Sequence, residues 1–186
     1  MRVIGGTSRG RVLKAPGGPT RPTGDRVREA IFDMLGSMAA VAGSTVLDLF
    51  AGSGAMGIEA LSRGASSAVF VDDHPAAVAA VRANLEATGL DGAHAPVHRA
   101  EVLRWLERQL PGAAWDIAFV DPPYAFCAWP ALLERLRARL AVLESDRPLD
   151  PGGHWEVLKH RRYGGTLVTV IGQAARNPPD VERGTC

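Results

Sequence analysis

The sequence has few cysteines and no long apolar run, and each shortage excludes a class of protein. Only two of its 186 residues are cysteine, Cys127 and Cys186. They form neither a disulfide framework nor a Cys-x-x-Cys pair. His94 and His98 are four residues apart, but Pro96 between them keeps them off one helix face, so we expect no metal site. No apolar run reaches the ~18 residues of a membrane-spanning helix. The opening MRVIGGTSRG lacks the apolar stretch of a secretory signal, so we expect a cytoplasmic protein with no membrane partner.

The composition is that of a single globular domain with an uneven charge distribution. Apolar residues make up 46% of the chain and charged residues 22%, which are ordinary values for a folded domain. Residues 1–30 hold seven basic and two acidic residues, and the remainder holds 14 basic and 18 acidic ones. A basic segment on an acidic body favours a polyanionic partner such as nucleic acid, although a solvated arm has the same composition.

Short apolar runs alternate with helical periodicity along the chain. Buried strands are predicted at 44–50, 67–72, 95–100 and 116–124, the last running into a turn. Helices are predicted after Thr23, with Thr23 or Asp25 as its cap, after Pro75, at 101–110 and from Trp129 to Leu140. Three final strands are predicted at 141–145, 156–159 and 166–171. The linker HRRYGG is too short for a crossover helix, so the last two strands should form an antiparallel hairpin.

This alternation predicts an α/β fold with a doubly wound, Rossmann-like sheet. The sheet should be mostly parallel, with an antiparallel last strand and a short N-terminal extension. We expect residues 1–22 to form a basic extension that contacts RNA. It should contain two short strands, which could pair as a β-hairpin. The main domain should cover 23–172, with a flexible tail at 173–186. No further apolar stripe demands a partner, so a monomer is expected.

A glycine-rich turn follows the first predicted strand. Asp48 lies in that strand, Gly52-x-Gly54-x-x-Gly57 follows it, and Asp72 ends the next strand. Ligands of open α/β sheets bind at these carboxyl ends, where glycine lets the backbone approach them closely. The spacing fits either a dinucleotide, with its pyrophosphate on the helix N-terminus, or S-adenosylmethionine. Asp48 favours S-adenosylmethionine, because a carboxylate there would repel pyrophosphate but can pair with an ammonium group.

The second motif, Asp121-Pro122-Pro123-Tyr124, ends the fourth predicted strand and opens on the same edge of the sheet. Its prolines fix φ and remove two N–H donors, which leaves a stiff turn with free carbonyls. The Asp121 carboxylate and the Pro122 carbonyl can both accept from one exocyclic amine of a nucleobase. They would aim the nitrogen lone pair at a methyl donor while Tyr124 stacks on the base. The alternative is a turn with no role beyond the fold.

Four further features are weaker candidates. Glu101 follows the third predicted strand and either binds a nucleoside or caps the next helix. Glu144 is interpreted as structural, and Trp129 as a core residue rather than a stacking platform. The basic cluster at 159–162 either touches RNA backbone or is a solvated turn.

The N-terminal block resembles that of the RsmD family, small-subunit (16S) ribosomal RNA methyltransferases that modify guanine at N2. The matching segments are 2–6, 9–11, 20–23 and 25–32, followed by LDLFAGSGAMGIEALSRGA and FVDPPY. The resemblance covers about residues 1–172. Its N-terminal block is specific to this family, whereas Asp-Pro-Pro-Tyr alone is typical of amino methyltransferases in general.

The resemblance implies a class I methyltransferase fold, S-adenosylmethionine as cofactor, and 16S rRNA in an assembling 30S particle as partner. It implies a donor-binding set of Asp48, Ala51, Gly52, Ser53, Gly54, Asp72 and Glu101. It implies that Asp121, Pro122, Pro123 and Tyr124 hold the target amine. The RNA contacts expected are Arg9, Arg11, Arg21, Arg26 and Arg28. Asp72 and Glu101 depart from the family, which commonly has Glu and Asp there, and the segment after residue 172 is atypical.

Three other functions remain open at this point. An amino methyltransferase of DNA adenine or cytosine, or of another RNA, would use the same motifs, but the chain leaves no room for a separate target-recognition domain. An NAD-dependent oxidoreductase fits the glycine spacing but gives the Asp-Pro-Pro-Tyr motif no role. A non-catalytic RNA-binding module would not need the acceptor pair.

Overall fold

The computed structural model describes residues 1–17, 24–110 and 114–174. These ranges form five helices: α1 (Asp25–Ser37), α2 (Ala55–Ser62), α3 (Pro75–Thr88), α4 (Val102–Glu107) and α5 (Trp129–Arg135). They also form seven strands: β1 (Thr45–Leu49), β2 (Ser67–Asp72), β3 (Val97–Arg99), β4 (Trp115–Val120), β5 (Ala138–Ser145), β6 (Trp155–Tyr163) and β7 (Thr166–Gln173).

The strands form one sheet in the order β3-β2-β1-β4-β5-β7-β6. Strands β1 to β5 run parallel, and β7 is antiparallel to both of its neighbours, β5 and β6. The predicted fold class, including the antiparallel last strand and the final hairpin, is confirmed. The order reverses between β1 and β4, and this switch point is where open α/β sheets bind ligands.

Helices cover both faces of the sheet. Helices α1, α2 and α3 pack on one face through residues such as Phe32, Ile58 and Val81, and α4 and α5 pack on the other through Leu106 and Leu132. Strands β1 and β4 contribute side chains to both clusters, which explains why their sequences are almost wholly apolar.

The N-terminal segment, residues 1–17, packs against the domain. The two predicted short strands pair through one antiparallel bridge between Arg2 and Val12, with backbone bonds from the Val3 amide to Arg11 and from the Leu13 amide to Met1. Val3 and Leu13 are buried in the cluster beneath α1 and α2. A Cβ at Gly6, whose φ is +77°, would overlap the Ser62 carbonyl at the end of α2. The segment is therefore fitted to the domain surface and is no free arm.

A buried carboxylate holds this segment in place. Glu59 of α2 is fully buried and accepts hydrogen bonds from the amides of Ile4 at 2.7 Å and Gly5 at 2.8 Å. It also pairs with Arg63 at 2.7 Å and lies 3.8 Å from Arg28. The prediction that Arg28 contacts RNA is wrong, because its side chain is fully buried and bonds the carbonyl of Arg2.

Other boundaries also differ from the predictions. Helix α5 ends at Arg135, and Leu140 lies on β5. The predicted helix extends to Leu140 because a buried strand and a helix can both place apolar residues at these spacings. The residues His160 to Tyr163 continue β6, and only Gly164 and Gly165 form the turn. Gly24 precedes α1 without a side-chain cap, and Asp25 is its first residue; Thr23 lies outside the described residues. No described helix is long and apolar enough to cross a membrane.

Candidate active site

A cleft of about 770 Å³ opens at the carboxyl ends of the parallel strands. It is lined by residues following β1, β2, β4 and β5, by the β6–β7 turn, and by parts of the N-terminal segment and α1. Leu49 pairs with Val71 on one side and Val120 on the other, so the glycine turn, Asp72 and Asp121 emerge side by side. The two sequence motifs therefore share one cleft, as their placement predicts.

The glycine turn leaves room for a ligand to lie close to the backbone. Gly52 adopts φ of +55°, and the nearest atom to an added Cβ would be the Phe50 carbonyl oxygen, 3.9 Å away. Ala51, Gly52 and Ser53 line the cleft. Gly54, with φ of +76°, precedes α2 as its N-cap and packs against Val81 and Phe70, so it shapes the turn instead of lining the cleft.

Asp48 lies at the floor of the cleft. It is only 3% exposed, and its Oδ2 accepts from the Gly57 amide at 2.9 Å. Burial raises its pKa to about 8; the Gly57 hydrogen bond opposes this rise, and the charges of Asp121 and Asp72 add to it. Asp48 is thus a buried acid that faces two further acids, a setting that favours a ligand that carries positive charge.

Asp72 ends β2 beside the glycine turn. One of its carboxylate oxygens accepts from the Gly52 amide at 2.9 Å, and the other accepts from the His74 amide at 2.9 Å. These bonds fix the carboxylate at the rim of the cleft. Each oxygen has a second lone pair, so the group can still accept from two hydroxyls of a ligand.

The Asp121-Pro122-Pro123-Tyr124 turn forms the opposite wall of the cleft. All four residues line it; Pro122 is buried, and Tyr124 is 59% exposed. The Pro123 carbonyl accepts from the Phe126 amide at 2.8 Å, which closes the turn. The Asp121 carboxylate is exposed, and it acts electrostatically on Asp48.

Aromatic side chains that the sequence analysis did not single out support this wall. Phe126 lies edge-on to Phe50 at 5.3 Å and to Trp129 at 5.5 Å between ring centroids. Phe50 has φ of +56°, a strained conformation at the end of β1 that turns the chain into the glycine loop. Trp129 is 8% exposed and belongs to the core, as interpreted from the sequence.

Residues at the end of β5 and in the β6–β7 turn close the third side. Glu144, Ser145 and Asp146 follow Leu143, which pairs with Val120. Glu144 is 6% exposed and lines the cleft beside Asp121. Tyr163, from β6, also reaches the cleft. The sequence analysis missed Tyr163 because it placed this residue in a loop.

Glu101 has a different setting from the other predicted donor contacts. Its two carboxylate oxygens accept from the amides of Leu103 at 3.0 Å and Arg104 at 2.8 Å, so it is the N-cap of α4. It is exposed and does not line the described cleft. The capping interpretation is confirmed, and a contact between Glu101 and the donor stays a prediction.

The predicted RNA-binding arginines lie at separate places. Arg9 and Arg11 are exposed on the N-terminal segment, and Arg26 is exposed on α1. Arg28 is buried, as described above. Arg21 lies outside the described residues. In the ranges that are described, no three His, Cys, Asp or Glu side chains converge as a metal site requires.

S-adenosylmethionine fits the residues of the cleft. The open space at Gly52 admits a ligand against the backbone, and Asp72 at the rim can accept from a ribose. The sulfonium and ammonium charges of this cofactor would stabilise the ionised form of Asp48, which burial and the charges of Asp121 and Asp72 disfavour. The same acids would repel the pyrophosphate of a dinucleotide.

Comparison with known proteins identifies the family. The model of the family described as conserved hypothetical protein 95 matches residues 1–172. A Haemophilus influenzae protein named ribosomal RNA small subunit methyltransferase D is 34% identical over 176 residues, covering 88% of this chain and 89% of its own. The solved structure of Escherichia coli yhhF is 31% identical with a TM-score of 0.82, covering 95% of this chain and 99% of that one.

A more distant structure shares the fold. SMU.776, solved in complex with S-adenosylhomocysteine, is 18% identical with a TM-score of 0.62, covering 72% of this chain and 46% of that one. This chain thus shares the fold of a methyltransferase structure that holds S-adenosylhomocysteine. The chain belongs to the family described as conserved hypothetical protein 95, which is the RsmD family that its N-terminal block and its Asp-Pro-Pro-Tyr motif resemble.

Proposed function

We propose that this protein transfers a methyl group from S-adenosylmethionine to the exocyclic N2 amine of a guanine in 16S ribosomal RNA. The observation that carries the proposal is the single cleft at the β1–β4 switch point. Asp48, Gly52 and Asp72 line one wall of it, and Asp121 to Tyr124 line the other. The proposed setting is the cytoplasm, on an assembling 30S particle, with the enzyme acting as a monomer.

One wall of the cleft has the groups that a donor site needs. The cofactor, when bound, supplies an electrophilic methyl group on a sulfonium. Asp48 would pair with the methionine ammonium, and Asp72 would accept from the ribose hydroxyls. The Gly52 backbone, free of a Cβ, would lie against the ligand, with Ala51 and Ser53 beside it. Gly54 contributes by setting the left-handed turn that begins α2.

The opposite wall has the groups that an amine acceptor needs. The Asp121 carboxylate and the Pro122 carbonyl would accept the two N–H bonds of the guanine amine and orient its lone pair. Pro123 stiffens the turn, and Tyr124, exposed at the rim, offers a face on which the base can stack. As nitrogen gains positive charge on methyl transfer, Asp121 would stabilise that charge until a proton leaves.

The RNA class rests on charge and on family membership. Arg9, Arg11 and Arg26 are exposed, and Arg9 and Arg11 lie on the N-terminal segment whose first residue, Met1, lines the cleft. The relative from Haemophilus influenzae carries the name of a small-subunit rRNA methyltransferase. We also propose Arg21 as a phosphate contact from its place in the sequence.

The test is methyl transfer from labelled S-adenosylmethionine to 16S rRNA, free or in particles that lack the mark. Asp121→Ala should lower the rate by about 100-fold or more because it removes one of two acceptors. The control Asp91→Ala changes an exposed aspartate outside the cleft and should keep the wild-type rate. Labelling that is indifferent to Asp121→Ala would overturn the assignment of the acceptor wall.

Two measurements separate the proposal from its alternatives. Mass spectrometry of the digested product should reveal N2-methylguanosine; methyladenine or methylcytosine in DNA would identify a different amino methyltransferase. Calorimetry with S-adenosylmethionine and NAD side by side should give heat only with the former. Binding of NAD alone would point to an oxidoreductase.

A further inference from the structure

Strand β6 forms the free edge of the sheet and carries an uninterrupted basic cluster. Lys159, His160, Arg161 and Arg162 are consecutive, and all four are exposed. In the described parts of the chain, Lys159, Arg161 and Arg162 form no ion pair with a carboxylate. These three cations are therefore available to pair with an anionic ligand.

The register places part of this cluster in a row that leads to the cleft. Lys159 pairs with Val170, Arg161 with Val168, and Tyr163 with Thr166. Cross-strand partners share a face of the sheet, and Val168 and Val170 belong to the cluster under α1. Lys159, Arg161 and Tyr163 thus follow one another on that face. Alternate residues are about 6.7 Å apart, so the row is about 13 Å long.

The two ends of this row have different surroundings. At one end Lys159 lies 3.5 Å from the Ser37 hydroxyl, in a groove of about 490 Å³ between β6 and α1. Asp33 also lines that groove and is its one acidic group among the described lining residues. At the other end Tyr163 lines the cleft, and its buried hydroxyl has no hydrogen-bond partner among the described residues.

We propose that the row Lys159-Arg161-Tyr163 is a phosphate-binding ridge that guides the backbone of the RNA substrate into the cleft. The proposal rests on the proposed function and adds a second basic surface to that of the N-terminal segment. The two cations would bind successive phosphates, and the row would end at the cleft, which Tyr163 lines. Arg162, on the other face of β6, adds to the field but not to the row.

A different role for these charges makes a different prediction. Lysines and arginines on an edge strand also prevent pairing with the edge of another molecule. In that case their loss would cause aggregation but would leave the salt dependence of RNA binding unchanged. The two roles are therefore separable by measuring affinity against ionic strength.

The experiment compares Lys159→Ala/Arg161→Ala with the control Arg137→Ala/Arg139→Ala in the full chain. The control residues are exposed and lie near the start of β5, away from the cleft. Affinity for a 16S rRNA fragment is measured from 50 to 200 mM salt. Two lost contacts to single-stranded RNA should reduce the slope of log affinity against log salt by about 1.4 and weaken binding roughly tenfold at low salt. The control should keep the wild-type slope.

Three readouts make the result decisive. S-adenosylmethionine binding and thermal unfolding should match the wild type, and Lys159→Gln/Arg161→Gln should reproduce the change in slope. A wild-type slope in either ridge variant, with or without aggregation, would overturn the ridge. Because wild-type methylation of the same RNA is measured in parallel, failure of the proposed function would be recognised separately as a wild type that does not methylate.

Discussion

Asp48 is a single residue that lowers the stability of the fold and is proposed to bind the cofactor. It is buried, and its pKa is raised from 3.8 to about 8. Between pH 4 and 8 the unfolded chain releases this proton while the folded chain retains it, so the group lowers stability as pH rises. Because an ionised carboxylate at this position lowers the stability of the fold, we infer that its role is to bind a cationic ligand.

Asp48→Asn should therefore stabilise the protein in alkaline but not in acidic solution. The amide has the same shape and can still accept from the Gly57 N–H. We expect the free energy of unfolding in urea to rise by about 2–5 kcal/mol at pH 8 and to change little near pH 4. The exposed Asp91→Asn serves as control, and an equal gain at both pH values would contradict the account. The same variant should lose affinity for S-adenosylmethionine in calorimetry.

Gly57 is required by packing. A Cβ there would overlap the ring of Phe70 and lie 3.2 Å from the Asp48 carboxylate. Gly57→Ala should lower the free energy of unfolding by about 1–3 kcal/mol, although alanine favours a helix. Gly36→Ala in α1 is the matched control, since its Cβ would meet nothing within 4 Å, and should stabilise by about 0.5–1 kcal/mol. Denaturant titrations of both variants test this prediction. A change in unfolding free energy of the same sign in both variants would contradict the packing role.

At the scale of elements, the N-terminal segment is joined to the domain through α2. Glu59 accepts from the Ile4 and Gly5 amides and pairs with Arg63. Asn84 of α3 adds a second link, because its side-chain amide donates to the carbonyls of both Lys14 and Ser53. Ser53 belongs to the glycine turn, so the segment and the proposed donor site share a hydrogen-bond network.

Glu59→Gln should release this segment. It removes a buried charge and leaves Arg63 without its carboxylate and Arg28 with Asp25 alone, for which we expect a loss of about 3–5 kcal/mol in unfolding free energy. In the same variant, hydrogen exchange at the Ile4 and Gly5 amides should become faster. Glu29→Gln, an exposed change on α1, is expected to alter neither quantity. Wild-type exchange rates in Glu59→Gln would show that the segment is held in another way.

At the scale of the whole molecule, sequence periodicity is sufficient to predict the strands of the sheet and its final hairpin. Strands buried on both faces are nearly continuous apolar runs, and the short HRRYGG linker permitted only a hairpin. Periodicity was not sufficient at Leu140, where a helix and a strand place apolar residues equally well. That boundary is decided by pairing with β4, which the local sequence does not contain.

The residues of the cleft were predictable where they follow strand ends. Asp48, Gly52, Asp72 and Asp121 could be placed at one edge because parallel strands share it. Tyr163 could not, because it reaches the cleft only through the register of β6 on β7. Arg28 was misjudged for a related reason. Its nearer carboxylate, Asp25, lies three residues before it on α1, but the Arg2 carbonyl and the buried Glu59 that surround it are brought there only by the fold.

The central claim is that one cleft presents a methyl donor to an amine held by the Asp121 turn. A crystal structure with bound S-adenosylhomocysteine tests it most directly. We predict the ribose on Asp72, the ammonium toward Asp48, and the sulfur directed across the cleft toward Asp121 and Pro122. A sulfur directed away from that turn, or a turn that faces out of the cleft, would contradict the account.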